Sequence, residues 1–374
     1  MKNFIPVCEP YLNGNELKYV QEAITSNWIS SQGKFIEKFE EEFANFCGVQ
    51  YASGVCNGTV ALHLAMVALD IGAGDEVIIP NFTMISTALS VCYTGAIPVF
   101  VEADPKTWNI DVDKIEEKIT DKTKAILVVH IFGNPCDMNA INEIAQKHDL
   151  RTIEDAAEAH GAEYRGVKAG ALSDIAAFSF YANKNLTTGE GGMVVTQNQE
   201  LYDKCRYFKN VCFPLDGKRE FIHKDVGFNY RMTNLHAAIG LAQVEKAYEY
   251  RDQRIKNNTF YKRRLSHVEG INFPEDEAES LNVCWMNAIL IDPDIFGVSR
   301  DEVIAGLYRK GIGTRLLFTG MHEQPSLKNI GCDCSGEYPV TQDLTTNGLY
   351  LPSASSLSED QIDYICSELL SMKI

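Results

Sequence analysis

A single lysine, Lys184, stands in the run Phe178-Ser179-Phe180-Tyr181-Ala182-Asn183-Lys184-Asn185-Leu186-Thr187-Thr188-Gly189-Glu190-Gly191-Gly192. The run reads as a strand, Ile175 to Phe180, passing into a polar loop rich in Gly and Thr. A lysine in a turn is ordinarily a solvated surface cation. One held just past a buried strand end suits a Schiff-base nucleophile, because burial lowers its pKa and frees the amine. In Ile153-Glu154-Asp155-Ala156-Ala157-Glu158-Ala159-His160-Gly161, Asp155 follows an apolar strand immediately. It is either a helix N-cap or an acid facing a ligand's polar end. His160 reads as a core histidine or one packed behind the site. In Cys56-Asn57-Gly58-Thr59-Val60-Ala61-Leu62-His63-Leu64-Ala65, a strand turns into an amphipathic helix. Its first backbone N–H groups and the Thr59 hydroxyl form an anion site, or else an ordinary cap. The lysine of a Walker loop and the spacing of a dinucleotide fingerprint are both missing.

Together these segments provide an amine nucleophile, a buried acid and a phosphate cradle. That is the set pyridoxal 5′-phosphate (PLP) requires, since an aspartate beside the pyridine nitrogen keeps it protonated and makes the ring an electron sink.

The elements that must position them alternate. Val77–Pro80, Ile97–Val101, Ala125–His130 and Thr152–Asp155 read as strands, with helical patterns at Asp113–Ile119 and Ala140–His148 between them. Continuous apolar strands separated by helices imply an α/β fold with a mainly parallel sheet covered on both faces. Ligands of such a sheet gather at the carboxyl ends of the strands. A long charged helix from Gln243 to about Leu265 marks a change of character. It divides the chain into a large domain, 1–245, and a smaller C-terminal α/β domain, 246–374, with the N-terminal segment free to pack on the latter.

Composition narrows the function classes. The 374 residues carry 51 acidic and 34 basic side chains, a net charge of −17. General binding to nucleic acid or an anionic membrane needs a basic face, so neither is expected. Met1–Pro6 does not resemble a signal peptide and no run reaches membrane-span length, which points to a cytoplasmic protein. The eleven cysteines are scattered without a C-x-x-C pair, Cys332 and Cys334 being closest. They read as reduced thiols, with no metal site expected.

Over nearly its whole length the chain resembles the sugar aminotransferases of fold-type I. The resemblance rests on Trp28-Ile29-Ser30-Ser31-Gln32-Gly33-Lys34-Phe35, Asn57–Leu64, Glu154–Gly161, Asn183–Gly192, Gly227-Phe228-Asn229-Tyr230-Arg231-Met232-Thr233-Asn234 and Leu351-Pro352-Ser353. It implies that Lys184 holds PLP as a Schiff base and shuttles the proton, and that Asp155 pairs with the pyridinium nitrogen. Gly58, Thr59 and Ser179 resemble the phosphate-binding set. Asn229 resembles the residue lent to the phosphate by the neighbouring subunit, implying a homodimer with shared sites. Glu158 stands near the cofactor's 3-hydroxyl, where many relatives have glutamine and the perosamine-forming members also have glutamate. Trp28, Ser30, Arg315 and His322 fall in segments that border the substrate. Met84 replaces the usual aromatic residue against the cofactor ring, and Thr319-Gly320 replaces a Tyr-Pro pair. Dehydratases of this kind replace the lysine by histidine, which this chain does not. The implied reaction is ping-pong transamination from L-glutamate to a keto-sugar, GDP-4-keto-6-deoxy-D-mannose being the expected acceptor. Another nucleotide-linked sugar or a small phosphorylated ketone is the alternative.

Overall fold

The computed structural model describes residues 4–217 and 221–374. Met1–Asn3, part of the segment read above for a leader, lie outside them. The described residues form three sheets. The largest has seven strands in the order Tyr51–Val55, Gly192–Thr196, Ile175–Ser179, Arg151–Asp155, Thr123–Val129, Glu76–Pro80 and Ile97–Val101. Only Gly192–Thr196 runs against its two neighbours; the other pairings are parallel. The central strands are apolar on both faces because helices cover both, as parallel sheets require. Ile126, Leu127, Val128, Ile153 and Ala176 are all buried.

Side chains of small loops start the helices. Asp137 accepts from the Ala140 amide at 3.1 Å to begin Met138–Lys147. Ser299 with Glu302 and Ser358 with Gln361 form capping boxes for Arg300–Arg309 and Glu359–Leu370. The second sheet is antiparallel, in the order Ile271–Asn272, Asn287–Ile291, Gly348–Leu351 and Arg315–Leu316. Its core includes Tyr261, Leu265, Val303, Leu307, Ile362 and Ile365, together with Ile5 from the N-terminal segment. Among the described residues no helix is long and apolar enough to cross a membrane.

Three local expectations are corrected. Asp113–Ile119 does not form an α-helix; Val112–Lys114 and Glu116–Lys118 are separate 3₁₀ turns. Asp111 caps the first of them, and the second ends as Ile119 turns extended, so no length remains to propagate an α-helix. The helix expected from Gln243 is two helices, Asn234–Val244 and Ala247–Leu265. Gln243 belongs to the first, where its side chain is fixed by Tyr11 O, Glu16 and the Thr187 amide. The helix Gly58–Ala68 is not amphipathic, since residues Ala61–Met66 and Ala68 are all buried between the large sheet and neighbouring helices.

Candidate active site

The carboxyl ends of the parallel strands converge on a cavity of about 1570 Å³. Asp155 ends its strand there, and Lys184 stands five residues beyond the end of Ile175–Ser179. The lysine loop is not a solvated turn. Thr187 Oγ1 and the Thr188 amide both bond Phe180 O, at 3.0 and 2.9 Å, and the Phe180 amide reaches Gly191 O at 2.8 Å. Its threonines and glycines thus satisfy the backbone of a buried connection. The Lys184 amide donates to Tyr181 O at 2.9 Å, which turns the side chain into the cavity.

Lys184 Nζ lies 3.7 Å from Glu158 Oε1 and 3.7 Å from the centroid of the Trp285 ring. Burial pushes its pKa below the usual lysine value, against the opposing pull of Glu158 and Asp155. Burial also raises Asp155, opposed chiefly by the Thr87 hydroxyl, which donates to Oδ2 at 2.9 Å. The Ala157 amide donates to Oδ1 at 3.2 Å, so Asp155, the last residue of its strand, caps a turn and not a helix. Glu158 is raised to about 7 by burial, although Lys184 and the Phe132 amide, 2.7 Å from Oε2, favour its ionised form. Phe132 holds the left-handed conformation with φ 55°, a strained geometry for a residue with a side chain. The strain aims its amide at Glu158, while its carbonyl accepts from the Trp285 amide at 2.8 Å.

At the other wall, Asn57 takes the amides of Val60 (Oδ1, 3.0 Å) and Ala61 (carbonyl O, 3.2 Å). The amides of Gly58 and Thr59 at the helix start are left for a ligand. A Cβ on Gly58 would stand 2.6 Å from Ser179 Cβ, so only glycine lets this helix end come down beside Ser179. The hydroxyls of Thr59 and Ser86 bond at 3.1 Å along the same wall. These features suit PLP. Open amides with hydroxyls beside them fit a phosphate, a buried acid fits a pyridine nitrogen, and a desolvated amine shares their cavity.

Of the residues read from sequence, Gly58, Thr59, Met84, Asp155, Glu158, Ser179, Lys184 and Arg315 line this one cavity. Met84, 48% exposed, lines the same cavity as Asp155. His322 does not line it; Nδ1 is 2.8 Å from Asn81 Nδ2 and the ring packs on Tyr338. Trp28 is exposed, Ser30 lines a separate cavity with Arg206, Lys209 and Arg231, and Asn229 is exposed beside Asn210. His160 is a core residue packed among Phe43, Phe178 and Phe180, its pKa lowered to about 3 by burial. Sequence reasoning missed Trp285, Thr87 and Tyr350. Thr87 was within reach, since it lies one turn beyond Met84; Trp285 and Tyr350 come from the far end of the chain and carry no local signal.

The profile of the DegT/DnrJ/EryC1/StrS aminotransferase family matches residues 10–370. The GDP-perosamine synthase of Escherichia coli O157:H7 is 44% identical over 366 residues, which cover 98% of each chain. That of Caulobacter vibrioides is also 44% identical, over 98% of this chain and 97% of its own. The crystal structure of DesV from S. venezuelae, in complex with a ketimine intermediate, superposes with a TM-score of 0.92 at 32% identity. The match covers 99% of this chain and 98% of that one. The chain therefore belongs to the DegT/DnrJ/EryC1/StrS aminotransferase family and is a PLP-dependent sugar aminotransferase of the fold-type I architecture.

Proposed function

We propose that this enzyme transfers the amino group of L-glutamate to GDP-4-keto-6-deoxy-D-mannose and so forms GDP-perosamine for a surface polysaccharide. The observation that carries the reading is the cavity that joins Lys184, Glu158 and Asp155 with room beyond them for a sugar nucleotide. The identity to two GDP-perosamine synthases over nearly the whole chain supports the choice of sugar.

When bound, PLP supplies the carbon that receives the amino group and a ring that withdraws electrons from it. The residues do the rest. Desolvation leaves the Lys184 amine able to take and return a proton at Nζ. Asp155, held by Thr87, presents a buried carboxylate that favours a protonated ring nitrogen. Gly58, Thr59 and Ser179, which line the wall of the cavity, would hold the cofactor's phosphate. Glu158, anchored by the Phe132 amide, keeps an acidic group beside the lysine. Arg315, exposed on the cavity wall, is placed to meet an acceptor phosphate.

The same reading makes the enzyme a cytoplasmic homodimer with shared sites. Its eleven free thiols, six of them buried, suit a reducing compartment. Asn229, which lies outside its own chain's cavity and is exposed, is available to a neighbouring subunit. We divide the chain at 245/246, the Ile5 segment joining the second part by its bridge to Ile312.

The test is to load the enzyme with the amino group from L-glutamate and offer it GDP-, UDP- and dTDP-linked keto-sugars and small phosphorylated ketones. Return of the starting cofactor spectrum with the GDP-linked 4-keto sugar, and GDP-perosamine as product, is the expected result. A response to a non-nucleotide ketone alone would refute it.

A further inference from the structure

The helix Arg300–Arg309 has two apolar faces. Val303 and Leu307 are buried in the core of the smaller sheet. Asp301, Ile304, Ala305 and Tyr308 follow the spacing i, i+3, i+4, i+7, and all four line the cavity that contains Lys184. Phe4 closes the stripe. The Ile5 amide bonds Gly311 O and the Gly313 amide bonds Ile5 O, both at 2.8 Å, and this brings the Phe4 ring to 6.0 Å from that of Tyr308. The two rings are 52% and 67% exposed, an aromatic surface left to water on the wall of a ligand cavity.

A carboxylate stands at the end of this stripe. Arg300 Nε donates to Asp301 Oδ1 at 2.7 Å while its Nη1 is held by the carbonyls of Thr345 and Gly348. Asp301 is thereby oriented but remains open, with its side chain 77% exposed and Oδ2 accepting no hydrogen bond from any described residue.

We propose that this stripe is the base pocket for the nucleotide of the sugar substrate and that Asp301 selects guanine. The inference rests on the nucleotide-sugar reading above. Guanine presents two adjacent donors, N1–H and the N2 amino group, which match the paired acceptor oxygens of a carboxylate. Uracil and thymine present one N–H between two carbonyl oxygens, which a carboxylate repels. Cytosine and adenine set a ring acceptor beside their amino group. Asp301 thus discriminates by repulsion as well as by attraction, and the aromatic and aliphatic stripe covers the base face.

Calorimetric titration of the PLP-loaded enzyme with GDP, IDP and UDP tests this, because IDP lacks only the N2 amino group. The wild type should bind GDP about tenfold or more tighter than IDP, the scale of one charge-assisted hydrogen bond, and UDP more weakly still. Asp301→Asn should abolish most of the GDP-over-IDP ratio, and Asp301→Glu should retain part of it. Unchanged cofactor absorbance and melting temperature would show that the variants are folded. Tight binding that ignores the base, or a ratio unaltered in Asp301→Asn, overturns the role of Asp301 while leaving a nucleotide substrate in place. Failure to bind any nucleoside diphosphate, with amination of a non-nucleotide ketone only, overturns both readings.

Discussion

Trp285 Nε1 donates to the carbonyl of Asn183 at 2.9 Å, and the same indole lies under the amine of the next residue, Lys184, 3.7 Å from its centroid. One side chain from the distal part of the chain therefore holds the lysine loop and covers the lysine itself. Cys8 reaches the same carbonyl at 3.5 Å, so segments distant in sequence on either side of the loop pin it.

Removing the indole should disturb both relations. Trp285→Ala is expected to lower kcat/KM by about 10- to 100-fold, the combined scale of a desolvated cation–π contact and a hydrogen bond. Trp285→Phe, which keeps a ring but loses the donor, should fall between. Equal rates for all three proteins would show that the loop needs neither contact.

Thr87→Val removes the hydroxyl that favours ionised Asp155. The pKa of Asp155 should then rise further, and the acid limb of the kcat/KM profile should move to higher pH. A shift of about one pH unit corresponds to the worth of a hydrogen bond to a charged group. An unmoved acid limb would mean that Asp155 does not control it.

Glu158 titrates near 7 in the fold against 4.5 ordinarily. Between those pH values the folded chain keeps a proton that the unfolded chain has released, so stability contributed by this group falls as pH rises through the window. Glu158→Gln escapes that loss. The cofactor-free variant should match the wild type near pH 4.5 and exceed it by about 1–3 kcal/mol at pH 8. Chemical denaturation across that range decides it; a constant difference would contradict the raised pKa.

Gly58→Ala drives a Cβ against Ser179 and should weaken PLP binding, with about 1–3 kcal/mol of lost stability from overpacking. Gly58→Ala with Ser179→Gly should recover the melting temperature but not the affinity, because the hydroxyl is gone. Spectroscopic titration of the apoenzyme with PLP reads both effects.

If Asn229 serves the neighbouring subunit, Lys184→Ala and Asn229→Ala proteins are each impaired in a different half of a shared site. Refolding an equimolar mixture should restore about a quarter of wild-type activity, as half the dimers carry one intact site. No recovery would place both residues in one chain's site or exclude the dimer.

The chain's own order determined the α/β class, the mostly parallel sheet and the group formed by Lys184, Asp155, Gly58 and Thr59. Strand and helix periods are local properties of the backbone, and each of these residues stands at a strand end or within five residues of one. The structure also separates Asp155 from its neighbour Glu154. Successive strand residues face opposite ways, and Glu154 is spent on His130, Gly170, Leu172 and Ser173 behind the sheet. Only the tertiary structure could bring Trp285, Tyr350 and the Asp301–Tyr308 stripe to Lys184, or leave His322, Trp28 and Ser30 outside that cavity. Those placements depend on strand order and on how the second sheet closes over the first. Such long-range packing leaves no periodic trace in a stretch of neighbouring residues.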